Sequence, residues 1–256
     1  MLFDTHAHIN DSRFDDDRDD VLNSLKDKNV GAYVEIGTDI ESSYKAIELS
    51  KKYDFVYSAV GMYPHDTGNM SDADLTELEK MCTYEKVVAI GEIGLDYYWD
   101  GVPKDVQKHW FKKQLELAFE LKIPVVIHSR DAMGDTIEIL KNTKNCGGII
   151  HCYSGSSESA KILLDLGFYI SFAGPLTFKN AKNLCESALV VPDNRLLIET
   201  DSPYLSPEPY RGKRNTPANV CEVAKKLAEL RNTTYEHIIN ITYENALKVY
   251  NIKNKG

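Results

Sequence analysis

Eight short, apolar and often β-branched runs recur along this chain, each followed by a longer segment of helical periodicity, and that alternation leaves few folds open. The runs cover residues 2–4, 30–36, 55–60, 87–90, 125–127, 149–151, 168–171 and 196–199. Runs so short and so continuously apolar suit parallel strands buried on both faces. Between them, residues 18–28 and 41–53 place apolar side chains at three- and four-residue spacing, as a half-buried helix requires. Ser71 is the expected N-cap of a third helix, with Asp72 and Asp74 at the positive end of its dipole. Residues 105–121 form the longest helical segment and stop before Pro124, while 131–141, 157–166, 180–187 and 217–231 continue the pattern. A final helix at about 235–250 closes it.

Eight such units in 256 residues predict an α/β protein of the (β/α)8 TIM-barrel type, a single domain spanning residues 1–256. An open doubly wound sheet would want a glycine-rich phosphate loop after the first strand, and none follows it. No Pro/Gly/Ser linker or low-complexity tract divides the chain, and the acidic run at 15–20 reads as a solvated helix start.

Composition narrows the function classes. No apolar run approaches the roughly 18–20 residues of a membrane span, and the first residues lack a signal peptide's basic and apolar regions, so a cytoplasmic protein is expected. Five cysteines, an odd number without Cys-x-x-Cys spacing, argue against a disulfide framework and against a thiolate zinc site. The net charge of −9 disfavours gripping long nucleic acid by counterion release. It leaves room for an enzyme that takes one strand end into a site where bound cations supply the positive charge.

The polar residues that end the strands carry the chemistry. His6 and His8 are two residues apart, so a continuing strand turns both to one centre, where they form a bidentate imidazole seat. Glu92 follows the fourth strand, His128 the fifth, His151 the sixth and Asp201 the eighth. Barrel enzymes keep their catalytic groups at these C-terminal ends. Four histidines and two carboxylates exceed the needs of one tetrahedral ion and suit two divalent cations (Mg, Mn or Zn), with Glu92 as candidate bridge because a glutamate offers two oxygens. Such a pair activates water, so no side-chain nucleophile is needed. His109 and His237 lie inside helical segments and read as structural. Glu199 can orient a ligand or pair inside the barrel, and Cys152 points away from the face that His151 uses.

The segments LFDTHAHIN (2–10), GEIGLDYY (91–98), PVVIHSR (124–130) and PDNRLLIETDSP (192–203) together resemble the signature blocks of the TatD family of metal-dependent deoxyribonucleases, from the first residues to about Pro217. The resemblance implies an amidohydrolase-like barrel, a divalent-metal centre and hydrolysis of DNA phosphodiesters, often as a 3′-to-5′ exonuclease. It implies His6, His8, Glu92 and Asp201 on one metal and Glu92, His128 and His151 on the other. It also implies His65 near the scissile phosphate, whereas Tyr63 stands where many members carry histidine. Asp201 is assigned the proton of the attacking water, alongside Glu92 and His65 as catalytic residues. Arg130 and the basic segment YRGKRNTP (210–217), with Arg211 and Arg214, are the candidate substrate contacts, although Thr216 replaces a frequent acid there.

The expected partner is DNA, at single-stranded ends, with no membrane and no obligate protein partner. Two other readings stay open. The same metal site serves an amidohydrolase-type or aminoacyl-tRNA deacylase reaction, and a non-catalytic binding protein can retain the fold.

Overall fold

The computed structural model describes residues 1–253. Its eight strands are β1 (Leu2–Ala7), β2 (Val30–Ile36), β3 (Val56–Val60), β4 (Val87–Asp96), β5 (Val125–Arg130), β6 (Gly148–Ile150), β7 (Tyr169–Phe172) and β8 (Leu196–Ile198). They pair in parallel and in chain order. The seam between β8 and β1 is joined by a parallel bridge of Ala7 with Ser202. Across it the Asp201 N–H donates to the His6 carbonyl (2.9 Å) and the His8 N–H to the Ser202 carbonyl (2.7 Å). The barrel expected from the alternation is the fold observed.

The helices are α1 (Arg18–Ser24), α2 (Ile40–Lys52), α3 (Asp72–Met81), α4 (Lys104–Leu121), α5 (Met133–Asn142), α6 (Ser157–Asp165), α7 (Lys182–Val190), α8 (Val220–Leu230) and α9 (Tyr235–Val249). Capping fixes several of the starts. Asp39 accepts the Ser42 N–H at α2, and Ser71 and Asp74 form a capping box at α3. The helix expected over 18–28 breaks at Ser24. A 3-10 turn, Lys26–Lys28, follows and Asn29 takes a left-handed φ of 63° that turns the chain into β2. Likewise Pro217–Asn219 is a 3-10 turn that leads into α8.

Two apolar layers hold the barrel. Inside it, Phe3, Val34, Ile36, Ala59, Ala89, Val126 and Leu197 fill the lumen. Between strands and helices lie Leu22, Phe111, Leu115, Leu163, Phe168 and Leu227, all buried. Each fully buried large side chain contributes about 1.5–3 kcal/mol. α9 covers the N-terminal ends of the strands. Tyr243 packs on Phe3 edge-on (5.7 Å), Tyr250 stacks near it (6.2 Å), and the Asn245 amide donates to the Leu196 carbonyl. With that end closed, the C-terminal end is left as the open mouth.

β4 and β5 are longer than the apolar runs suggest, and the reason lies at their contact. Gly94 pairs with His128 at φ 143°, and a Cβ there would collide with the His128 carbonyl. Only glycine lets β4 continue beside β5 to Asp96. That extension carries Glu92 and Asp96 up into the mouth. No helix among the described residues is long and apolar enough to cross a membrane.

Candidate metal centre

All six expected ligands meet at the C-terminal mouth, and they meet around one carboxylate. Glu92 Oε2 lies 3.3 Å from His6 Nε2 and 3.6 Å from His8 Nε2. Its other oxygen, Oε1, lies 2.8 Å from His128 Nδ1 and 2.9 Å from His151 Nε2. Within each histidine pair the facing nitrogens are 3.1 Å apart. Asp201 Oδ1 completes the first group, 3.6 Å from His6 Nε2 and 3.4 Å from His8 Nε2.

These spacings have a chemical meaning. Ligand atoms about 2.0–2.1 Å from a tetrahedral ion stand about 3.3 Å from one another. The observed separations are of that size, so each group has the spacing to receive a divalent cation. The triads His6–His8–Glu92 and Glu92–His128–His151 are both compact enough to hold an ion.

The strands supply the placement. His6 sits in β1 with Nδ1 buried and without a hydrogen-bond partner, and its ring stacks on that of His151 at 3.9 Å. Beyond β1, the buried Glu35 of β2 accepts the backbone N–H groups of Ile9 (3.1 Å) and Asn10 (2.9 Å), which anchors the turn after His8. Burial pushes the Glu35 carboxyl up to about 7 against these donors. Asp201 has a left-handed φ of 56°, a conformation that costs a non-glycine residue about 1–3 kcal/mol. It is held by the His6 carbonyl and by Asn215, whose amide donates to the carbonyls of Thr200 (2.9 Å) and Tyr204 (2.8 Å). The buried asparagine of the basic segment thus shapes the loop that presents Asp201.

The electrostatics follow from burying two carboxylates among four imidazoles. Burial opposes ionisation of Glu92, but His151, His128 and His6 hold its carboxyl well below the usual range. Asp201 is held low in the same way, with burial overcome by His8, His6 and His151. Burial also disfavours a charged His151, yet Glu92 and Glu199 raise it well above the ordinary value. His8 and His128 are raised against burial by Asp201 and by Asp96 and Glu92 respectively, whereas burial and the neighbouring His151 lower His6. Without a cation, protons carry the balancing charge, so metal binding is coupled to proton release.

Two carboxylates stand behind the second histidine pair. Glu199 Oε1 lies 3.2 Å from His151 Nδ1 and accepts the Cys152 N–H (2.8 Å). Asp96 Oδ2 lies 3.1 Å from His128 Nε2 and accepts the Tyr63 hydroxyl (2.7 Å). The ligand-orienting reading of Glu199 thus has its contact. Asp96 and Tyr63 stand outside the ligand set expected from the sequence. Asp96 is four residues after Glu92, hence on the same face of an extended strand, which is the signal that could have found it. Glu199→Gln is expected to weaken metal affinity at the His128–His151 pair by roughly ten- to hundredfold. Calorimetric titration of the metal-free protein measures this, and an unchanged affinity would remove the orienting role.

The remaining expectations divide. Arg130 lines the mouth cavity of about 630 Å³ together with His8, Glu92, His128, His151 and Asp201. His65 does not line it. Its Nε2 is buried without a hydrogen bond, 3.6 Å from Asp96 Oδ1. Arg211 and Arg214 are not brought to the cavity either. The Arg211 guanidinium lies over the Phe178 ring, while Arg214 makes a two-pronged ion pair with Asp17 (2.8 and 2.5 Å) and covers Phe14. His237 pairs with Asp193 at the surface (2.8 Å), and His109 packs edge-on against Trp110 in α4.

Comparison with known proteins gives a consistent picture. Residues 3–251 match the family model described as TatD related DNase. The chain is 47% identical over 254 residues to a Bacillus subtilis (strain 168) protein described as uncharacterized metal-dependent hydrolase YabD, covering 98% of this chain and 100% of that one. It is 32% identical to the 3′-5′ ssDNA/RNA exonuclease TatD of Cronobacter sakazakii, covering 97% of each. Among solved structures it superposes on YJJV, a TatD homolog from Escherichia coli K12, with a TM-score of 0.92 at 29% identity over 98% of both chains.

Proposed function

Because this chain belongs to the TatD related DNase family and is a metal-dependent hydrolase, we propose that it cleaves DNA phosphodiesters from single-stranded ends, with 3′-to-5′ polarity, at a centre of two divalent cations. The observation that carries the reading is the division of Glu92, whose two oxygens each face a separate pair of histidines. His6, His8, Glu92 and Asp201 would hold one cation, and Glu92, His128 and His151 the other. When bound, the cations polarise the phosphoryl oxygen, lower the pKa of water and neutralise charge as the phosphodiester is displaced.

The protein's own groups do the rest. Asp201, held ionised at the cavity wall, takes the proton of the attacking water. Arg130 forms no ion pair among the described residues and stands at the same wall, free to meet a phosphate oxygen. The cavity is large enough for a nucleotide-sized group. Positive charge confined to such a centre reconciles a nucleic-acid substrate with a net charge of −9. The name of the Cronobacter relative supports the same substrate class.

Digestion of 5′-end-labelled single-stranded DNA with Mg, Mn or Zn supplied in turn, beside aminoacyl-tRNA, tests this. A ladder that shortens from the 3′ end with intact aminoacyl-tRNA is the expected result. Deacylated tRNA with intact DNA would move the reaction to the acyl bond. Turnover of neither substrate under any ion would leave a binding protein of the same fold.

A further inference from the structure

The cavity carries large aromatic side chains that phosphodiester hydrolysis itself does not require. Trp99, Tyr204 and Leu205 line it, and Trp99 is 59% exposed, Tyr98 53% and Tyr204 45%. Leaving such surface in water forgoes the stabilisation that burial would bring. Each aromatic edge is also backed by a guanidinium. Arg130 lies over the Tyr98 ring at 3.7 Å and within 5.7 Å of Trp99, and the two rings meet edge-on at 4.8 Å. Arg13 lies over Tyr204 at 4.2 Å, while Tyr204 rests edge-on against His8 at 6.1 Å. Trp99 follows β4 and Tyr204 follows β8. Strands four apart in an eight-stranded ring stand across the mouth from each other.

We propose that Trp99 with Tyr98 on one side of the mouth, and Tyr204 on the other, form a stacking clamp for unpaired bases next to the phosphodiester to be cut. The inference rests on the reading of the substrate as nucleic acid. Every nucleobase has a π-face, so aromatic platforms hold a strand without selecting its sequence. Arg130, which forms no ion pair among the described residues, adds charge where the backbone runs, while Arg13, held by Asp11 in a two-pronged ion pair at 2.8 Å, adds cation–π attraction at Tyr204. Bases inside a duplex are already stacked and paired, so the clamp accepts single-stranded ends and rejects duplex. Specificity for unpaired ends thus resides in the aromatic rim, and hydrolysis resides in the ligand cluster beneath it.

Fluorescence tests the clamp independently of turnover. The chain has two tryptophans, Trp99 and Trp110, and the second packs into an apolar cluster along α4. A phosphorothioate oligothymidylate added to the Mg-loaded protein is expected to quench Trp99 emission saturably, and a duplex of equal length is not. Binding of a labelled strand, followed by anisotropy, should weaken by roughly ten- to hundredfold in Trp99→Ala and in Tyr204→Ala. Trp99→Phe, which keeps a ring, should stay within about threefold of the parent. Unchanged affinity in both alanine variants, or binding without quenching, by a protein that digests DNA overturns the clamp and leaves the phosphodiesterase reading intact. A parent protein that neither binds nor digests the strand overturns both.

Discussion

Glu92→Gln is expected to lower hydrolysis by about 10²–10⁴-fold at saturating metal, the loss of several kcal/mol of charge stabilisation. The size of the effect comes from the shared position of this side chain. One oxygen serves the His6–His8 pair and the other the His128–His151 pair, so a single neutral amide weakens both. An amide also presents an N–H group to imidazole nitrogens that must act as lone-pair donors. Metal content after dialysis should fall in step with the rate, and circular dichroism should remain that of the parent. Parent-like metal content and rate in the folded variant would remove Glu92 from the bridging place proposed for it.

Asp201→Asn separates holding a cation from handling a proton. Asparagine has the same shape and tolerates the left-handed backbone found at this position, so the loop should keep its course. The amide cannot accept a proton as a carboxylate can, so, with the role proposed for Asp201, kcat should fall by about 10²–10⁴-fold. Because His6, His8 and Glu92 remain, metal content should fall less than in the Glu92 variant. In the parent, burial opposes the Asp201 charge but His8, His6 and His151 hold the carboxyl below its ordinary range, so Asp201 is ionised at neutral pH. Activity close to that of the parent would show that another group takes the proton.

The barrel and the ligand cluster were legible in the sequence for the same reason. Parallel strands buried on both faces read as continuous apolar runs, so a histidine or acid that ends such a run is conspicuous. His128 after Val125-Val126-Ile127 and His151 after Ile149-Ile150 are of this kind. What stayed hidden depends on chain segments meeting from afar. Gly91, Glu92 and Gly94 look like a loop, yet the close approach of β4 to β5 makes them strand, and that concealed Asp96 as a partner of His128. The basic run at 211–214 looks free in sequence, but Asp17 lies across the fold to receive Arg214. Likewise Thr38, Ser42 and Lys45, which reach the cavity from around the start of α2, have no periodic signature. The rim aromatics leave no distinct trace either, because an exposed tryptophan and a buried one are the same letter.

The seam between β1 and β8 has a consequence for when such a protein becomes active during its synthesis. His6 and His8 belong to the first strand, and Asp201 follows the last. The two sides are tied by the hydrogen bonds of the Asp201 and His8 N–H groups. A nascent chain that has emerged only as far as β7 has five of the six expected ligands, His6, His8, Glu92, His128 and His151, but no closing strand to set their spacing. Assembly of the centre therefore waits for the last strand, and a chain that stops short of Asp201 lacks both that carboxylate and the hydrogen bonds that seat His6 and His8 beside it.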